Sequence, residues 1–126
     1  MVELARQPEG VPLQSREIAT RQEIPQAYLD QLLVMLRRAG LVKSVRGAGG
    51  GYLLAQPAAA LTVADILKPL SSDLFGDRWR TEADKATETF QQALDSAVAV
   101  LEGVRLIDLV EAEDAHLAAQ NYMMHI

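Results

Sequence analysis

The spacing of apolar positions along the chain changes several times, and each change marks an element. Val2 to Gln7 reads as a short helix ended by Pro8 and Gly10, which punctuate a loop to about Gln14. Ser15 is the expected N-cap of a second short helix running to about Gln22, with Ile18 and Ala19 facing inward. Gln22-Glu23-Ile24 then makes a tight turn. Pro25 suits the first turn of the next helix, where its missing N–H would be unpaired anyway, and Gly40 stops that helix after Ala39. Tyr28, Leu29, Leu32, Leu33 and Leu36 follow helical spacing and leave Gln26, Ala27, Asp30, Gln31 and Arg37 outward. Tyr28 is expected half in the core, with its hydroxyl reaching outward.

Leu41 to Val45 alternates as a strand does, Arg46 to Gly51 is rich in glycine, and Tyr52 to Leu54 returns, which predicts a hairpin with a flexible tip. Pro57 closes it. Thr62 with Asp65 fits a capped short helix from Val63 to about Leu70, with Pro69 ending or distorting its last turn. Ser71 to Arg80 reads as a loop. From Thr81 to about Val104 the pattern is helical again: Ala83, Ala86, Phe90, Ala93, Ala97, Val100 and Val104 form one row, and Phe90, Leu94, Ala97, Leu101 and Val104 another. An apolar face this wide predicts a helix packed on its own domain by one edge and on another chain by the other. Leu106 to Val110 is a further apolar segment, and Glu111 to Ile126 reads as a weakly determined helical tail.

The expected architecture is mainly α with a small β-hairpin: a winged helix-turn-helix over residues 1–70, a loop over 71–80, and a dimerisation helix with its tail over 81–126. In such a domain the second helix presents short polar side chains to base edges in the major groove, while the hairpin tip brings a cation to the minor groove. Gln26, Ala27, Tyr28, Asp30 and Gln31 supply the first set and Arg46 the cation. Gly47, Gly49, Gly50 and Gly51 permit positive φ and close backbone approach. Arg37, Arg38 and Lys43 read either as phosphate contacts or as ordinary surface.

Charge supports this division. The net charge of −5 argues against nucleic acid, but residues 1–56 carry +2 and residues 57–126 carry −7. Gln31 to Ala64 holds no acidic residue, and exposed charges more than about 8 Å apart are largely screened, so the local sign decides. With 126 residues the chain has the length of one domain plus an appended element. Cysteine is absent, which excludes disulfides, thiolate zinc sites, cysteine-ligated iron–sulfur clusters and cysteine nucleophiles. No apolar span or signal peptide is visible, so a cytoplasmic, membrane-free protein is expected. His116 and His125 are not spaced as metal ligands, no catalytic constellation appears, and neither a metal, a cofactor nor an enzyme is expected.

The tract EIATRQEIPQAYLDQLLVMLRRAGLVKSVRGAGGGYLLAQP, with LTVADILKPL and VAVLEGVRLIDLV, resembles the small bacterial Rrf-type winged helix-turn-helix regulators over roughly residues 3–110. The resemblance implies a homodimeric transcription factor that binds palindromic double-stranded DNA, with Tyr28, Asp30 and Gln31 on the recognition helix and Arg46 at the wing tip; it is read as a repressor, with an activator as the alternative. Phe90, Leu94, Ala97, Leu101 and Val104 would form the dimer seam. Three departures stand out. The family's first helix begins earlier than this chain does. The three cysteines that hold a cluster in several relatives have no counterpart in Ser71 to Arg80. Pro25 and Ala27 stand where relatives often carry small hydroxyl residues. Trp79 sits where relatives keep their sensor and reads either as an anchor for the dimer helix or as part of a pocket for a small-molecule effector; a protein effector is the other open signal. The rival function is an adaptor that holds a partner protein on a winged-helix scaffold.

Overall fold

The computed structural model describes residues 1–71 and 84–125. Along the chain run α1 (Val2–Arg6), α2 (Ser15–Gln22), α3 (Gln26–Arg38), β1 (Val42–Val45), β2 (Gly51–Leu54), α4 (Val63–Leu70), α5 (Lys85–Glu102) and α6 (Leu106–Met124). The mainly helical winged fold with one antiparallel hairpin is the one the sequence predicts. Trp79, Ala83 and nearly all of the loop expected over 71–80 lie outside the described residues.

The helix-turn-helix is set by two αL stops. Glu23, at φ +52°, lets the Ile24 N–H reach the Ala19 carbonyl (3.0 Å) and turns the chain into Pro25, the N-cap of α3. At the far end Gly40, at φ +77°, allows the Leu41 N–H to reach the Leu36 carbonyl (3.0 Å), so the buried Leu36 and Leu41 flank the bend into β1. Leu29, Leu33 and Leu36 are the buried stripe of α3 and pack with Ile18 and Ala19 of α2. Tyr28 departs from expectation: it is 56% exposed, because the stripe is centred one residue later and turns its ring to solvent.

Strand β1 pairs with β2 in the register Val42↔Leu54 to Val45↔Gly51. A bridge on the other side of β2 was not anticipated. Leu13 and Tyr52 exchange both backbone hydrogen bonds (3.0 and 2.8 Å), which draws the loop before α2 into the sheet. That extension makes Gln14 the N-cap of α2 and Ser15 its first helical residue, a shift of one from the predicted cap. Thr62 and Asp65 form the expected capping box (3.0 and 3.1 Å), and Pro69 is accommodated in the last turn of α4 without ending it.

The C-terminal part is stitched onto the same core. The Val63 N–H donates to the Val104 carbonyl and the Leu106 N–H to the Leu61 carbonyl, both at 2.8 Å. Leu61 and Leu106 are the most deeply buried large side chains. The apolar segment 106–110 and the supposed weak tail are one continuous helix, α6, whose start packs against α1 and whose Asp114 pairs with Arg6 at 2.8 Å. Asp84 caps α5 by accepting from the Thr87 N–H (2.7 Å). Its inner edge, Leu94, Val98 and Leu101, is half-buried; its outer edge, Ala93, Ala97 and Val100, is exposed, as is Phe90. Val104, just past the helix, is half-buried.

Candidate nucleic-acid interface

Helix α3 carries Gln26, Ala27, Asp30 and Gln31 on its exposed side, with Tyr28 beside them. Arg37 and Arg38 are exposed too but lie at the helix end, about 9 Å along the axis from Gln31 and about 16 Å from Gln26. The helix brings the first five together and separates the two arginines from them.

At the tip of the wing, residues 47–50 close a turn through the Gly50 N–H and the Gly47 carbonyl (3.0 Å). Gly50 is buried, and a Cβ on it would stand 2.1 Å from the Val45 carbonyl oxygen, so no other residue fits. Arg46, Gly47, Ala48 and Gly49 are left exposed on the outside of this turn.

Between the wing and the two helices lies an open cleft of about 370 Å³. Gln26 lines it from α3, Gly47 and Gly50 from the wing, and Gln14, Ser15 and Arg16 from the start of α2. Lys43 is not part of it. That side chain lines a separate cavity of about 600 Å³ behind the hairpin, with Leu4, Pro8, Glu9 and Gln56. Sequence reasoning missed Gln14, Ser15 and Arg16. The available signal was an arginine and a hydroxyl at a helix start, and it gains meaning only once the Leu13–Tyr52 rung brings that start beside the wing.

The cations fall into two sets. Arg6, Arg21, Lys68, Lys85 and Arg105 each lie against a carboxylate: Asp114, Glu3 with Glu17, Glu102, Glu88 and Asp108 in turn. Arg105 and Asp108 lock each other in the charged state: the hydrogen bonds from Arg105 hold the Asp108 carboxyl below its ordinary value, and Asp108 raises the guanidinium. Among the described residues Arg16, Arg37, Arg38, Lys43 and Arg46 are in no ion pair. All five fall between positions 16 and 46. Exposed cations left without carboxylates on one part of a surface are donors available to an external polyanion.

The family model described as iron-dependent transcriptional regulator, Rrf2, matches residues 1–112. The HTH-type transcriptional regulator CymR of Bacillus subtilis is 35% identical over 127 residues, covering 100% of this chain and 91% of its own. IscR of Cereibacter sphaeroides is 38% identical over 107 residues, 77% of this chain and 69% of its own. Among solved structures, T. potens IscR superposes with a TM-score of 0.79 at 34% identity, covering 98% of this chain and 86% of that one.

The family description carries iron, and iron–sulfur clusters are held chiefly by cysteine thiolates. This sequence has none, and among the described residues no three His, Asp or Glu side chains converge where a metal ion would sit. The residues do not fit a cluster. No helix among the described residues is long and apolar enough to cross a membrane. The winged fold, the cation-bearing helix and wing, and the match over most of its length agree: this chain belongs to the Rrf2 family and is a DNA-binding HTH-type transcriptional regulator.

Proposed function

We propose that the chain acts as a homodimeric repressor on palindromic operators, with residues 1–70 contacting DNA and residues 81–126 pairing two copies. The observation that carries the DNA-contacting part is the set of five unpaired cations on α2, α3 and the wing, in a chain whose other described lysines and arginines are all paired with carboxylates. Gln26, Ala27, Tyr28, Asp30 and Gln31 face the major groove, Arg46 with Gly47 and Gly49 enters the minor groove, and Arg37, Arg38 and Lys43 dock on phosphates. Asp30 accepts from a cytosine amine or repels wrong sequences rather than touching phosphate.

Pairing is supported by α5, which buries no residue of its own yet carries an apolar outer edge. Of the five seam residues, Phe90 and Ala97 are exposed to meet the partner while Leu94, Leu101 and Val104 are half-buried beside them, and two-fold pairing would space half-sites by whole turns of the duplex. Without cysteines to hold a cluster, the signal is a small molecule, a partner protein or none at all.

The test is selection of bound duplexes from a random library, followed by affinity at fixed salt. A palindrome should emerge, and Arg46→Ala should cost about 1–3 kcal/mol on it. Unchanged affinity would remove Arg46 from the interface, and selection of no duplex at all would defeat the reading.

A further inference from the structure

The cleft between α2 and the wing joins three observations. Arg16 is the one unpaired cation of the five that stands on α2, and it lines this cleft with Gln26 of α3 and Gly47 of the wing. Ser15, beside it, accepts a long hydrogen bond at its Oγ from the Gln26 Nε2 (3.4 Å). With that lone pair occupied by a donor, the hydroxyl proton is left to bond an acceptor. Among the described residues no Asp or Glu lines the cleft. Its polar side chains therefore suit a ligand that is anionic and offers acceptors only.

Position narrows the ligand further. Gln26 opens α3, the helix read as entering the major groove, and Gly47 belongs to the wing read as entering the minor groove. The strand that divides two adjacent grooves is a sugar–phosphate backbone, and it has to pass between these two elements. The cleft is where they meet.

We propose that this cleft seats a backbone phosphate of the bound duplex, with Ser15 and Arg16 as its donors and Gln26 as the residue that positions Ser15. The inference rests on the DNA reading and deepens it: Gln26 acts through Ser15 instead of reading a base. Phosphate contacts fix register without carrying sequence information, so losing this one weakens all duplexes alike.

The experiment uses the full chain, a duplex selected from a random library and a scrambled duplex of equal length, each titrated over a range of salt. For Arg16→Gln both affinities should fall together, by about five- to tenfold at moderate salt, and the slope of log K against log[salt] should become shallower by about one. Ser15→Ala should weaken both duplexes by a similar factor, and Ser15→Thr, which keeps the hydroxyl, should restore most of it. Gln26→Ala should weaken binding while leaving the preferred base at every position unchanged. Inorganic phosphate at matched ionic strength should not displace the duplex.

An unaltered salt slope in Arg16→Gln would overturn the seat, as would full affinity in Ser15→Ala. So would relaxed preference at one base pair in Gln26→Ala, which would make Gln26 a base reader. Displacement by inorganic phosphate would mark a site for a free anion instead. A wild-type slope near zero is a different failure, because it would defeat the DNA reading itself. Circular dichroism of each variant, matched to wild type, keeps loss of fold apart from loss of contact.

Discussion

Helix α3 buries Leu29, Leu33 and Leu36 within 13 residues, whereas α5 buries none within 18. The first takes its stability from the core of its own chain, and its outer face is left to carry polar and cationic groups. The second is tied down mainly at its ends, by the Asp84 cap and by the backbone bonds around Val104 and Leu106, with one half-buried edge between. Charge divides the same way. The unpaired cations belong to the helix-turn-helix and wing, and Lys85, at the start of α5, and Arg105, the N-cap of α6, are held by Glu88 and Asp108. One region is fixed by its own core and offers cations to a polyanion; the other leaves an apolar edge exposed, which is the surface the proposed pairing would cover.

A pair of substitutions tests that contrast at its largest. Leu106 is fully buried although it opens α6, so Leu106→Ala should cost about 2–5 kcal/mol in urea unfolding, as for a core leucine. Val100 is 68% exposed on α5, so Val100→Glu should leave monomer unfolding within about 0.5 kcal/mol while converting the dimer to monomer in sedimentation at micromolar concentration. The reverse pattern would mean that α5 belongs to the core and α6 does not. A dimer that survives Val100→Glu would move the pairing surface off the outer edge of α5.

The contrast also marks what the sequence made legible. Signals confined to one stretch of chain held: the α3 stripe, the Gly40 stop and the Thr62–Asp65 box depend on neighbours within about one turn, and the hairpin on residues at most twelve apart. What escaped depends on residues far apart in the chain. Nothing near Ser15 announces that Leu13 pairs with Tyr52, and without that rung neither the cap at Gln14 nor the cleft beside the wing is visible. The continuity of α6 was hidden likewise, because residues 111–125 are exposed and lack a clear apolar stripe, and its start is fixed by Leu61 and Val63 some forty residues earlier. The polar set Gln26, Ala27, Asp30 and Gln31 was legible as an outward face, but Tyr28 was not, since an aromatic ring at helical spacing reads as core.

A smaller effect sharpens the account of the wing. Gly50 and Gly49 are neighbours with opposite surroundings: a Cβ at Gly50 would meet the Val45 carbonyl, and one at Gly49 would meet nothing within 4 Å. Gly50→Ala should therefore cost about 1–3 kcal/mol by forcing the turn apart, and weaken DNA binding with it, because Arg46 is carried by the same turn. Gly49→Ala should be close to neutral in stability. Equal effects at both positions would mean that the tip needs glycine for suppleness and that the Gly47–Gly50 turn is not its resting form.

The smallest effect lies where the two regions are joined. Glu3 on α1 accepts from the Arg21 guanidinium (3.1 Å) and the Gln22 amide (2.9 Å), tying α1 to the last turn of α2, while Arg6 ties the same helix to α6. Burial alone would raise the Glu3 pKa, but these hydrogen bonds, with the charges of Arg21 and Arg6, hold it below the ordinary carboxylate value. A carboxylate with a depressed folded pKa adds stability above its unfolded value, about 4.3 for Glu, and loses it as pH falls through the folded value. Asp84 and Asp108 are depressed as well, so wild type alone does not isolate Glu3. Glu3→Gln keeps the shape and removes the charge. Urea midpoints of the two proteins should differ by a constant amount above about pH 5 and converge at lower pH as Glu3 takes up its proton. A difference that persists unchanged into acid would make the α1–α2 tie one of packing, leaving charge no part in holding the reading head against the C-terminal helices.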